Sequence, residues 1–149
     1  MPGKMITSVA DIVKGINVQA QEQLDDLFAA FQYVGEACVK EAREHHSYTD
    51  QTGNLTSSIG YTIVKDGKII TKSVPQKVKN GSDGIQKGQE YLDSLAEKWG
   101  RKGMFLIVSA GMDYAEYVEA RGYVVLSSAE LKAPNLLRDI LSRLGFQVK

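Results

Sequence analysis

Ser58-Ile59-Gly60-Tyr61-Thr62-Ile63-Val64 and Lys68-Ile69-Ile70-Thr71-Lys72-Ser73-Val74, joined through Lys65-Asp66-Gly67, decide the fold. β-branched and aromatic residues dominate both runs, and Asp66-Gly67 is a two-residue hairpin signal. The stretch therefore predicts two antiparallel strands. Lysines near both ends of the second run suit an exposed sheet edge.

Upstream, Ala20, Leu24, Leu27, Phe28, Phe31, Val34, Cys38 and Ala42 recur in steps of three and four. That spacing lays one apolar stripe along a long helix, which fades near His45-His46-Ser47. Ser8-Val9-Ala10-Asp11 has the form of a capping box, so a short first helix is expected from about Val9, with Gly15-Ile16-Asn17 interrupting it. Thr49-Asp50-Gln51-Thr52-Gly53-Asn54-Leu55 is a cluster of turn formers.

Downstream, residues 75–88 are rich in Lys, Gly and Asn with few apolar anchors, and predict a mobile loop. Ile85, Tyr91, Leu92, Leu95 and Trp99 share one face of a second helix that Gly100 stops. Met104-Phe105-Leu106-Ile107-Val108 is a continuous apolar run, expected as a buried central strand. Gly111-Met112-Asp113-Tyr114-Ala115 turns the chain, and Tyr123-Val124-Val125-Leu126 reads as a further strand. Ser127-Ser128-Ala129-Glu130 forms a second capping box. It opens a terminal helix carrying Leu131, Leu137, Ile140, Leu141 and Leu144, closed by Gly145 and kinked or split at Pro134. The expected architecture is a single α+β domain over residues 1–149, its long N-terminal helix and further helices packed on one face of a small antiparallel sheet.

The composition agrees with one globular domain: 149 residues, 43% hydrophobic and 24% charged. Eighteen basic side chains balance eighteen acidic ones. The balance is a sum of unlike parts. Residues 1–64 carry four basic and eight acidic groups, residues 65–103 nine and five, and residues 104–149 five and five. Within a monomer these are solvated faces; between copies they are complementary. A neutral total speaks against a free-standing DNA-coating protein. The N-terminal residues lack a signal-peptide pattern, and no apolar run reaches the roughly 18 residues of a membrane span. The expected setting is a reducing cytoplasm, or a particle assembled there.

The chemical inventory is thin. Cys38 is the single cysteine, which excludes an internal disulfide and a cysteine-based zinc cluster. It sits on the apolar stripe and is expected to fill core as a small hydrophobe. His45 and His46 are adjacent, so on a helix they point about 100° apart and cannot share one metal. Glu41 and His45, at i and i+4, could in principle co-ligate a metal, but two polar residues at a fraying helix end are much the better account of them. No serine-nucleophile elbow or phosphate-binding loop is present. Glu116 and Glu119 are close, yet nothing in the sequence buries them. A non-enzymatic protein without cofactor or metal is the expectation. Lys72, Lys77, Lys79 and Lys87 leave a small nucleic-acid-binding module as the alternative.

Two segments are more specific. The first is Thr52-Gly53-Asn54-Leu55 followed by Ser58-Ile59, between a long helix and a strand. The second is Tyr114-Ala115-x-Tyr117-Val118-Glu119-x-x-Gly122, after a turn. Together and in this order they resemble the tail-completion proteins of long-tailed phages, also called head–tail joining, neck or minor morphogenesis proteins. The chain departs from that pattern at Thr56, where a basic residue is usual, in its long connection over residues 74–103, and at Arg121-Gly122-Tyr123. The resemblance implies a structural role in the neck or tail of a virion made in a bacterial host. It implies a homo-oligomeric ring whose neighbours are other connector and tail-tube proteins, with nucleic acid and membrane not expected as partners. The motif residues then shape the monomer, an interface, or both, with Tyr114 and Tyr117 as amphipathic anchors and Glu119 able to pair with a basic group of a neighbour. The hairpin tip at Asp66-Gly67 and the 75–88 loop, with Lys77, Lys79 and Lys87, order on contact.

Overall fold

The computed structural model describes residues 4–5, 21–98, 102–112, 114–122 and 125–146, with the side chains of residues 4, 5, 21, 22, 116 and 117 outside the description. Strand β1 is Lys4–Met5, and helix α1 spans Gln21–Glu44. A single helical turn, α2 (Asn54–Ser57), leads into β2 (Ile59–Lys65) and β3 (Lys68–Lys72). Helix α3 (Ser82–Lys98), strand β4 (Met104–Ala110), the short helix α4 (Ala115–Ala120) and helix α5 (Ser127–Arg143) complete the order. The strands form one antiparallel sheet in the order β1-β4-β2-β3.

The expected hairpin is present. Asp66 and Gly67 both take positive φ, 51° and 83°, the backbone of a two-residue turn whose twist matches the strands. β2 pairs along its whole length with β4, Ile59 opposite Ala110 and Lys65 opposite Met104. The apolar run Met104–Val108 is thus a central strand, as its composition predicts. The register between β2 and β3 shifts at Ile63/Val64, a bulge that re-aims the outer strand.

Alternation along the strands divides the side chains between two layers. Ile59, Tyr61 and Ile63 of β2 and Leu106, Val108 and Ala110 of β4 join the main core with Leu27, Phe31, Val34, Cys38 and Ala42 of α1 and Leu137 and Leu141 of α5. Gly35 lets α1 come close: a Cβ there would stand 2.7 Å from the Tyr61 ring. The opposite face of the sheet is also covered. Val64 and Ile107 pack with Tyr91, Leu92, Leu95 and Ala96 of α3. The α+β domain is as expected, but its helices are not all on one face. The central strands are apolar on both sides, so a second layer is required, and each Ile or Leu fully buried there stabilises the fold by about 1.5–3 kcal/mol.

Other expectations change with the structure. The predicted loop over 75–88 is shorter, because α3 already begins at Ser82 and takes in Gly84 and Gly88. Trp99, expected on the apolar face of this helix, and Gly100, expected to stop it, lie outside the described residues, as do the short helix expected from Val9 and the Tyr123-Val124 half of the expected strand. Val125 and Leu126 are not in a strand; they form a bend that leads into α5. Helix α5 continues through Pro134 without a break. Ala129, Ala133, Leu137 and Leu141 are buried along its inner stripe, and that packing outweighs the hydrogen bond that proline omits. Among the described residues, no helix is long and apolar enough to cross a membrane.

The glycines in the former loop explain why it is helical. A Cβ at Gly84 would stand 2.0 Å from the Asn54 carbonyl oxygen, and one at Gly88 would stand 2.5 Å from that of Ser58. They are places where α3 lies directly on the backbone of the turn before β2. Gly84→Ala is expected to lower the unfolding free energy by about 1–3 kcal/mol, read by urea denaturation, because backbone on both sides must move apart. An unchanged midpoint would show that the contact is loose.

Candidate functional site

The first motif forms a corner held by side chains that satisfy backbone groups. Asp50 accepts the Gly53 N–H at 3.0 Å through one carboxylate oxygen and the Thr56 N–H at 2.8 Å through the other. Gly53 takes φ 82°, which an L side chain adopts only under strain, and its missing Cβ leaves room for the Val78 carbonyl. Thr52 Oγ1 accepts the Asn54 N–H at 3.2 Å. Asn54 has no positive φ; its role is in the side chain, whose Oδ1 accepts the Gly84 N–H at 3.0 Å and so caps α3. Leu55 and Ile59 are buried in the core. Ser57 Oγ accepts the Val78 N–H at 2.8 Å, and Ser58 Oγ donates to the Leu55 carbonyl at 2.6 Å.

The second motif reaches the same corner. Tyr114 is 40% exposed; burial of part of its ring raises the phenol pKa, nearby Asp50 raises it further, and a hydrogen bond with the Thr52 side chain opposes both. Behind it, the buried Tyr48 hydroxyl pairs with Thr56 Oγ1 at 2.8 Å, and its ring stacks on His46. Val118 is partly buried against the main core, and Gly122 ends α4 with φ 90°. The backbone of Tyr117 belongs to α4, while its side chain is outside the described residues, so its role as an anchor is not described.

Glu119 has an intramolecular role that the sequence reading missed. Its carboxylate accepts the N–H groups of Val125 at 2.7 Å, Leu126 at 3.1 Å and Ser127 at 2.9 Å. These donors open α5, whose N-cap Leu126 has no side-chain acceptor of its own. The expected capping box at Ser127-Ser128-Ala129-Glu130 is therefore replaced by a carboxylate from the preceding helix. A negative charge among amides at a helix N-terminus is favoured both by hydrogen bonding and by the helix dipole. This commitment removes the expected pairing with a neighbour's basic group as the main task of Glu119. A glutamate a few residues before a helix start was the available signal.

The basic segment does not form one open stripe. Lys72 pairs with Asp93 of α3, and Lys79 Nζ donates to the Asp50 carbonyl at 2.7 Å, while Lys77 is exposed. At the end of α1, Arg43 Nη2 donates to the carbonyls of Ile59 at 2.9 Å and Val74 at 3.3 Å. This guanidinium ties the helix to the start of β2 and to the segment beyond β3. Burial lowers its pKa and Glu36 counters that effect. A cleft of about 200 Å³ opens alongside, lined in part by Glu36, Lys40, Arg43 and Gln76.

The remaining reactive groups serve the fold. Glu41 joins His45 at 3.2 Å and Lys132 of α5 at 2.9 Å, bridging α1 to α5. The hydrogen bond from Lys132 is the main reason its carboxyl pKa is lowered. Cys38 is buried, and burial, with a smaller effect from Glu41, pushes its thiol up to about 12. A thiol so placed holds its proton at neutral pH and is a poor nucleophile.

Two measurements check these assignments. Glu119→Ala should lower stability by about 1–2 kcal/mol in chemical denaturation, since three amide donors lose their acceptor, and Glu119→Gln should lose less. Native protein should resist alkylation at Cys38 at pH 8 and react fully in denaturant; rapid native labelling would contradict the buried placement.

Compared with models of known protein families, with curated proteins and with solved structures, the chain has no match.

Proposed function

We propose that this protein is a structural, non-enzymatic component of a long-tailed phage or prophage particle, acting at the junction between head connector and tail as a homo-oligomeric ring. The observation that carries the reading is the meeting of the two motif segments. Thr52 and Tyr114, 62 positions apart in the sequence, share one exposed corner. Behind that corner, Asp50, Asn54, Ser57 and Glu119 each satisfy backbone amides, which makes a rigid body. β2 runs from this corner to the hairpin tip, where Asp66 and Gly67 are exposed but Asp66 exchanges hydrogen bonds with the Gly103 backbone, so the tip is already held rather than left to order on contact. A body held in this way suits templated association, in which copies dock side to side on a preceding ring.

Electron microscopy of particles produced with and without this gene tests the reading. Density for the chain is expected between the connector and the first tail ring, and particles lacking the gene should accumulate as separate heads and tails. Complete, infectious particles without the chain would overturn it.

A further inference from the structure

We propose that Asn80 is a site of spontaneous chemical modification gated by the corner: when the turn at Gly81 opens, the Gly81 nitrogen attacks the Asn80 side chain, and the isoaspartate so formed keeps the corner loose. The inference is independent of the neck reading.

Asn80-Gly81 is the one Asn-Gly pair in the sequence. Glycine hinders least the attack of its own backbone nitrogen on the side chain before it. Asn80 is exposed, and its side-chain amide has no hydrogen-bond partner among the described residues. The electrophile is thus free to turn, whereas the nucleophile is held. Gly81 is buried, and its N–H donates to the Val78 carbonyl at 3.0 Å. Its carbonyl accepts the Ile85 N–H at 3.1 Å, in the first turn of α3. A Cβ on Gly81 would collide with Ser57 Oγ and the Gly53 carbonyl, so the peptide has no room to rotate. The Asn80 N–H is itself tied to the Thr52 carbonyl at 3.1 Å. A bonded amide keeps its proton until the structure around it opens. Opening here releases strain at Lys79, whose φ of 52° is unfavourable for a residue with a side chain.

On opening, the Gly81 nitrogen loses its proton, bonds to Asn80 Cγ and expels ammonia, which closes a succinimide ring. Water adds to either carbonyl of that ring and leaves aspartate or isoaspartate at position 80. In isoaspartate the main chain runs through Cβ and Cγ and is longer by a carbon atom. The inserted atom displaces the Asn80 and Gly81 N–H groups relative to each other, so their bonds to Thr52 and Val78 are not kept together. The step is irreversible, and it strikes the turn that seats α3 on the corner. The two Asp-Gly pairs, Asp66-Gly67 and Asp83-Gly84, are poorer candidates. Their carboxylates must be protonated before they can lose water. In addition, Asp66 Oδ1 accepts the Gly103 N–H at 2.8 Å, and the Gly84 N–H is held by Asn54 Oδ1 at 3.0 Å.

Ageing the full chain in mildly alkaline buffer, natively and in guanidinium chloride, tests this, with peptides mapped by mass spectrometry. In denaturant Asn80 should deamidate faster than Asn17, Asn54 and Asn135, which precede valine or leucine. Natively the Asn80 reaction should be slower by at least about tenfold, since the turn is open only a small part of the time. Ser57→Ala removes the acceptor of the Val78 N–H and should speed the native reaction several-fold. Urea well below the unfolding midpoint should do the same without a substitution. A native rate equal to that in denaturant would overturn the gating, and so would a native rate that neither change moves. Absence of native reaction while the Gly81 amide exchanges its hydrogen would overturn the site itself. The isoaspartate form, separated by ion exchange, should unfold at lower urea than fresh protein. Asn80→Asp, with the same charge and an ordinary backbone, should unfold near the fresh value. Equal midpoints for these two forms would show that the corner is not loosened.

Discussion

The structure depends on a backbone-to-backbone contact between the turn before β2 and the first turns of α3. Glycines at 84 and 88 remove the side chains that would separate them, and Gly111 does the same after β4, where a Cβ would stand 2.7 Å from Gly88 Cα. Contact this close gains dispersion energy along its length and leaves no room for water. Polar groups in such a place need partners within the protein. Asn54 to Gly84, Ser57 to Val78 and Asp50 to Gly53 and Thr56 supply them. Once the corner is closed, the entry of β2 into the sheet and the position of α3 beneath it are both set.

The rest of the fold follows from that anchoring. β2 is held at its start by the corner and by the Arg43 guanidinium, and then pairs on both edges with β3 and β4. α1 covers one face and α3 the other, so the two central strands are apolar on both sides. The last helix is positioned by two charged side chains, Glu119 at its N-terminus and Glu41 through Lys132. Both carboxylates thus join one helix to another.

Periodicity made α1 and the body of α5 legible, because each buries a regular stripe, while β-branched composition with the Asp66-Gly67 turn marked the hairpin and a continuous apolar run marked the central strand. What was not legible depends on distant neighbours. Gly84 and Gly88 read as a loop, since glycine is a helix breaker when nothing lies against it; against the backbone of Asn54 and Ser58 it is the residue that fits. α2 and α4 are a single turn and six residues, too short for a stripe. The Glu119 cap joins a helix to the one after it, a relation that a search for Ser or Thr at the helix start passes over. In the corner, the turn formers of residues 49–55 were recognisable, whereas the meeting of Thr52 with Tyr114 depends on the packing of elements far apart in the chain.

The asparagine cap has a consequence for the entropy of the chain. Asn54 and Gly84 are 30 positions apart, and the loop they close contains the whole hairpin. Glu41 and Lys132, which bring α5 onto α1, are 91 positions apart. In an unfolded chain, closing the longer loop costs about 1 kcal/mol more than closing the shorter one. The corner and its hairpin therefore form a unit of shorter chain separation, less costly to bring together than the docking of α5 on α1, and the same unit carries the edge strand β3.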